Sequence, residues 1–127
     1  MCQKALDLGL AEIGFSEHVD FDPSDDGFGF FDYERYSFDL LKAQQLFEGI
    51  LRIRKGVEVD YQSRFEEQIR KWLLDKKFDF TIGSVHYVNG QFINKQLLTT
   101  KGLTYVYAYY FDELIRSIRS GLFDVVG

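Results

Sequence analysis

Helix and strand signals alternate along this chain, and no other feature limits its fold so sharply. Ala5, Leu6, Leu8 and Leu10 end a helical stretch, with Gly9 in the place of a helix stop. Residues 13–15 form a short apolar run that leads into Ser16-Glu17-His18. Ser37 reads as the N-cap of a helix carrying Leu40, Leu41, Ala43, Leu46 and Phe47 on one side, closed by Gly49. Leu51, Ile53, Val57 and Val59 recur at nearly alternate positions, as a strand requires. Ser63, with Glu66 three residues on, has the form of a capping box, and Phe65, Ile69, Trp72 and Leu73 follow at helical spacing. Residues 78–85 are β-rich, and Asn89-Gly90 between Tyr87-Val88 and Phe92-Ile93 predicts a hairpin turn. A last helix is predicted over 105–119, stopped by Gly121, before a strand at 122–126.

That order, α-β-α-β-α-β-α-β, predicts parallel strands joined by crossover helices, in a doubly wound sheet or a (β/α) barrel. At 127 residues the chain has room for one domain, and no repeat, low-complexity tract or linker divides it. Its first helix lacks a preceding strand, its last strand lacks a covering helix, and four strands cannot close a barrel. The chain is therefore expected to be an internal part of a larger domain. Hydrophobic residues at 46% and charged residues at 28% exclude a disordered chain, and no apolar run approaches a membrane span. The first residues show no signal-peptide core and the single cysteine, Cys2, cannot form an internal disulfide, so a cytoplasmic location is expected and Cys2 receives no role. Fifteen Lys and Arg against 20 Asp and Glu leave a net charge of −5, so neither nucleic acid nor an anionic membrane is an expected partner.

Three residues stand where parallel folds collect their chemistry. His18 follows the strand at 12–15, His86 follows the strand at 78–85, and Glu58 lies near the end of the strand at 53–59. Parallel strands deliver their C-terminal ends to one face, so two imidazoles and a carboxylate meet there as a plausible metal constellation, with polar atoms expected within about 8 Å. A histidine at a strand end is more often a structural or surface residue, and Glu58 has pairing with Lys55 or an arginine as its alternative. Asp20, Asp22, Asp25 and Asp26 lack the spacing of a calcium loop and read as a solvated loop. Phe28, Phe30 and Phe31 are too dense for an ordinary loop; they are expected to form a lid or wall over the strand ends, and so part of a substrate site, with a protein interface as the alternative. Tyr105, Tyr107, Tyr109 and Tyr110 read as packing residues, since no basic stripe accompanies them for base stacking. Gly83-Ser84 lacks the flanking spacing of a phosphate loop or a nucleophile elbow.

Three segments together resemble the polymerase-and-histidinol-phosphatase (PHP) superfamily, and within it the histidinol-phosphatase branch. They are Gly-Leu-Ala-Glu-Ile-Gly-Phe-Ser-Glu-His-Val-Asp-Phe at 9–21, Lys-Gly-Val-Glu-Val-Asp-Tyr at 55–61 and Thr-Ile-Gly-Ser-Val-His-Tyr-Val at 81–88, with Gly-Leu-Phe-Asp-Val-Val-Gly at 121–127 as a further match. The resemblance implies a distorted (β/α)7, TIM-like barrel, of which about four βα units would be present here and the first strand and C-terminal part absent. It implies a centre of up to three divalent ions (Zn, Mn or Fe), with His18 and His86 as ligands and Glu58 as the bridging, catalytic carboxylate. The family's opening His-x-His and late Asp-x-His are missing. The implied activity is hydrolysis of a small phosphate monoester, L-histidinol phosphate, in histidine biosynthesis, with the chain alone close to inert. The competing readings are a superfamily phosphoesterase acting on nucleotides or nucleic acid, which the lack of a basic groove disfavours, and a non-catalytic fragment.

Overall fold

A computed structural model describes residues 1–127. The elements run α1 (Cys2–Asp7), β1 (Glu12–Val19), α2 (Tyr33–Leu46), β2 (Arg52–Asp60), α3 (Glu66–Leu74), β3 (Phe80–Ser84), β4 (Tyr87–Val88), β5 (Gln91–Phe92), α4 (Lys95–Lys101), α5 (Leu103–Ser120) and β6 (Val125–Val126). The main sheet has the order β1-β2-β3-β6, and every pair in it is parallel. Neighbours in the sheet thus follow one another in the chain, the order of successive strands in a (β/α) barrel, whereas a doubly wound sheet reverses at its centre. The four strands form an open parallel sheet with that order.

Alternation of side chains across β2 divides the molecule. Val57 and Val59 are both 0% exposed and pack with Val19, Tyr61 and Ile69, against which Trp72 and Phe78 also lie. Leu51 and Ile53 form a second core with Ala5 and Leu40. Gly56 and Glu58 point to the opposite face. There the Phe80 ring lies across the two neighbouring strands, over Gly56 and over Gly14, where an added methyl would sit 2.8 Å from the ring. The predicted hairpin is present as β4-β5, with Asn89 at φ 49° and Gly90 at φ 69°, both in the left-handed region that a type I′ turn requires.

Several expected boundaries move, some because a distant partner outweighs a local signal and some because another residue caps the helix. β1 runs on through Ser16, Glu17 and His18, because its whole length pairs with β2. Helix α2 starts earlier than predicted, capped by Asp32, which accepts from the Arg35 N–H at 3.0 Å. Ser37 lies inside that helix, where its Oγ accepts from Lys55 Nζ at 3.1 Å. The expected capping box does not form: Ser63 donates its N–H and Oγ to Glu113 on α5, both at 2.8 Å, and Glu66 accepts from Tyr61. Residues Ser63–Phe65 make a 3-10 turn before α3. Helix α4 has no counterpart in the sequence reading; Asn94 caps it, accepting from the Leu97 N–H at 2.9 Å. The final strand shortens to Val125–Val126.

Tyr36 ties α2 to the sheet, its hydroxyl lying 2.8 Å from the Phe15 carbonyl oxygen and 2.9 Å from that of Gly56. Burial, assisted by the charge of Glu17, pushes the phenol up from 10.0 to about 12. The buried, protonated phenol therefore contributes stability that is complete below pH 10 and is lost as pH rises toward 12. Tyr36→Phe is expected to cost about 1 kcal/mol in urea unfolding at neutral pH. The difference from the unsubstituted chain should then shrink in melts taken across that alkaline range.

Candidate metal centre

His18, Glu58 and His86 are brought together by the register of the parallel strands. His18 and Glu58 are direct partners in the β1-β2 pairing, and His86 lies two residues beyond the end of β3, in the turn leading to β4. One ligand atom from each lies within 4.8 Å of the others, inside the separation expected from strand-end placement. His18 Nε2 is 3.1 Å from His86 Nδ1, and Glu58 Oε1 lies 4.0 Å from His18 Nε2 and 3.8 Å from His86 Nε2. The rings stack with centroids 4.9 Å apart. Glu58 has no lysine or arginine partner. Lys55 lies elsewhere, its Nζ 3.1 Å from both Tyr33 Oη and Ser37 Oγ, so the pairing alternative for Glu58 does not hold. Instead Glu58 Oε1 accepts from Ser84 Oγ at 2.8 Å. A carboxylate and two imidazoles converging without a competing cation are a donor set that fits a divalent transition metal.

Behind this cluster stands a set of carboxylates that sequence reading did not single out or misread. Asp60, 1% exposed, accepts from the His86 N–H at 3.0 Å and from Gln62 Nε2 at 2.8 Å. Burial pushes the Asp60 carboxyl up, against the lowering effect of these bonds. Asp20 accepts from His18 Nδ1 at 3.0 Å. The loop read as solvated is tied down. Asp22 is buried and accepts from the Ser24 N–H and Oγ and from Arg64, while Asp25 accepts from the Gly27 N–H and from the Tyr87 hydroxyl. Asp-Pro-Ser at 22–24 and Asp-Asp-Gly at 25–27 are Asx-turn signals that announce these local bonds. Only the cross-chain partners, Arg64 and Tyr87, were beyond local inspection.

A hollow of about 1280 Å³ runs along the outer edge of β1 beside His18 and His86, and Phe30 and Phe31 line it. Phe31 is wedged edge-on between Tyr36 and Trp72, with centroids 5.4 and 5.7 Å away. Phe30 is 81% exposed. Phe28 lies at a separate, smaller hollow with Trp72 and Val19. Of the tyrosines, Tyr105 and Tyr110 pack around Val88, Leu97 and Val106 as expected, whereas Tyr107 and Tyr109 are exposed. Cys2 borders the second core. No helix is long and apolar enough to cross a membrane.

A parallel α/β sheet carrying histidine and glutamate at its strand ends is the setting of a metal-dependent site, and the comparisons agree on its lineage. Residues 1–127 match the family described as PHP domain, and the chain belongs to that family. It is 32% identical to a probable histidinol-phosphatase of Deinococcus radiodurans, over 98% of this chain and 51% of that protein. It is 28% identical to the histidinol-phosphatase of Bacillus subtilis, over 94% of this chain and 53% of the relative. The chain thus spans about half the length of these curated relatives. Among solved structures it resembles the histidinol phosphate phosphatase of Lactococcus lactis, crystallised with zinc, L-histidinol and phosphate. The TM-score is 0.65 at 29% identity, covering 70% of this chain and 34% of that one.

The network around Asp22 yields an acid-stability test. Hydrogen bonds from the Ser24 backbone and hydroxyl, aided by the Arg64 charge, hold the Asp22 carboxyl below its ordinary 3.8. A lowered carboxylate adds stability that is present above pH 3.8 and lost as pH falls through its folded value. Asp22→Asn is expected to lower the unfolding midpoint at neutral pH, with the gap closing in melts taken below that pH.

Proposed function

We propose that this chain forms part of a single PHP domain whose activity is metal-dependent hydrolysis of a phosphate monoester, L-histidinol phosphate, a cytoplasmic step of histidine biosynthesis. The observation that carries the reading is the convergence of His18, Glu58 and His86 within 4.8 Å at the C-terminal ends of adjacent parallel strands. It is supported by the activity named for the relatives and by the ligands of the solved structure.

In this reading His18 and His86 offer neutral nitrogens, and Glu58 offers a charge and two oxygens able to serve two cations. Ser84 Oγ, donating to Oε1, restrains the glutamate so that its carboxylate need not reorient on loading. Divalent ions held by these residues together with donors from the rest of the domain, up to three of zinc, manganese or iron, would supply hydroxide near neutral pH and screen the charge of the phosphate. Phe30 and Phe31 would give an apolar wall beside the reacting group. The hollow also carries Glu17, Asp20, Asp25, Asp26, Asp32 and Asp39 against one arginine, Arg35. Such surroundings favour an ester bearing a cationic amine over a polynucleotide, whose phosphates they repel.

The test is release of inorganic phosphate from L-histidinol phosphate, with zinc or manganese added, by this sequence carried in a complete PHP domain. Glu58→Gln keeps shape and removes the charge, and should lower kcat/KM by at least about 100-fold, beyond the loss typical of a residue one layer behind a metal. The 127-residue chain alone should release little phosphate, three donors being too few to hold ions at a fixed separation. Faster turnover of single-stranded DNA than of histidinol phosphate, or an unimpaired Glu58→Gln protein, would overturn the reading.

A further inference from the structure

Asp20 sits one residue past β1 and has no part in the converging donor set. Its side chain is 6% exposed, whereas that of the adjoining His18 is 40% exposed. Oδ2 lies 3.0 Å from His18 Nδ1. An ionised carboxylate only accepts, so the proton of this bond belongs to Nδ1, and a neutral ring that keeps its proton there presents a bare lone pair at Nε2. Nε2 is the atom that faces His86 and Glu58.

The space beside the carboxylate is tight. The loop backbone passes so close at Gly27 that an added methyl would overlap Asp20 Oδ2 and lie 3.3 Å from its Cγ. Gly27 is not among the glycines in the left-handed region, so space and not conformation demands glycine here. The Gly27 N–H donates to Asp25 at 2.6 Å, and Asp25 in turn accepts from Tyr87 at the start of the hairpin.

We propose that Asp20 is a positioning residue for the metal centre: it fixes the tautomer and ring orientation of His18 so that Nε2 is directed at the ion site. The proposal rests on the metal reading above, and its effect is on metal affinity before any effect on turnover. A carboxylate behind a ligating histidine raises the basicity of the ring and removes the cost of selecting one tautomer at each binding event, and its loss typically weakens metal binding 10–100-fold.

Two readouts on this sequence carried in a complete PHP domain test this, neither of them activity. Nitrogen NMR of the metal-free chain, at a pH where the ring is neutral, should report His18 with its proton on Nδ1. Zinc affinity, measured by competition with a chelator, should fall about 10–100-fold in Asp20→Ala, with His18 moving toward the Nε2-protonated form. Asp20→Asn keeps volume and a weaker acceptor, so it should fold normally and show a smaller fall. Gly27→Ala leaves the carboxylate in the sequence but displaces it, and should mimic Asp20→Ala. Zinc binding within twofold of the unsubstituted chain in both Asp20 variants, or an unchanged His18 tautomer in Asp20→Ala, would overturn the proposal while leaving the metal reading intact. A failure of the unsubstituted sequence, carried in the complete domain, to bind zinc would overturn the metal reading and the proposal together.

Discussion

The register between β1, β2 and β3 is the constraint on which the rest of this molecule depends. His18 opposes Glu58 and Asp60 opposes Ser84, and in a parallel sheet opposed residues share a face. Moving β2 by one residue would carry Glu58 into the packing against Ile69 and turn Val57 and Val59 outward. Each fully buried valine is worth about 1.5–3 kcal/mol, and an unpaired buried carboxylate costs more than either gains. The apolar core therefore fixes the geometry of the polar cluster on the opposite face, and the energy that aligns Glu58 with two histidines comes from side chains packed on the other side of the sheet.

A second layer of control is electrostatic. Glu58 approaches no Lys or Arg, while the nearby cations are engaged elsewhere: Lys55 over the Tyr33 ring and Arg64 on Asp22. The carboxylate charge stays available on the face where the imidazoles arrive. Asp60 and Asp20 act from behind, one on the His86 backbone and one on the His18 ring. The outward-facing donors are thus each backed by a partner, Asp20, Ser84 or Asp60, which limits how far any one can turn.

The alternation of helix and strand, and the placing of His18, Glu58 and His86 at strand ends, were legible because both follow from local periodicity and from the geometry of parallel strands. The hairpin at Asn89-Gly90 and the stop at Gly121 were legible too, since each needs a left-handed backbone that few residues supply. Much of what local pattern could not reveal was decided by partners far along the chain. Ser63 has the form of a cap but binds Glu113, fifty positions away, and Ser37 serves Lys55 from inside a helix. Asp22 looks like a solvent-facing loop residue until Arg64, forty-two positions on, is brought beside it.

The Phe80 ring spread over Gly14 and Gly56 joins one residue from each of three strands in a single volume. None of the three is a member of the polar cluster, yet none can change size independently of the others. A side chain at either glycine needs a smaller residue at position 80, and a smaller residue there leaves a void unless a glycine gives way. Descendants of this sequence are thus confined to paired steps at these positions. Drift here proceeds by compensation, and the layer next to the glutamate is inherited as a unit.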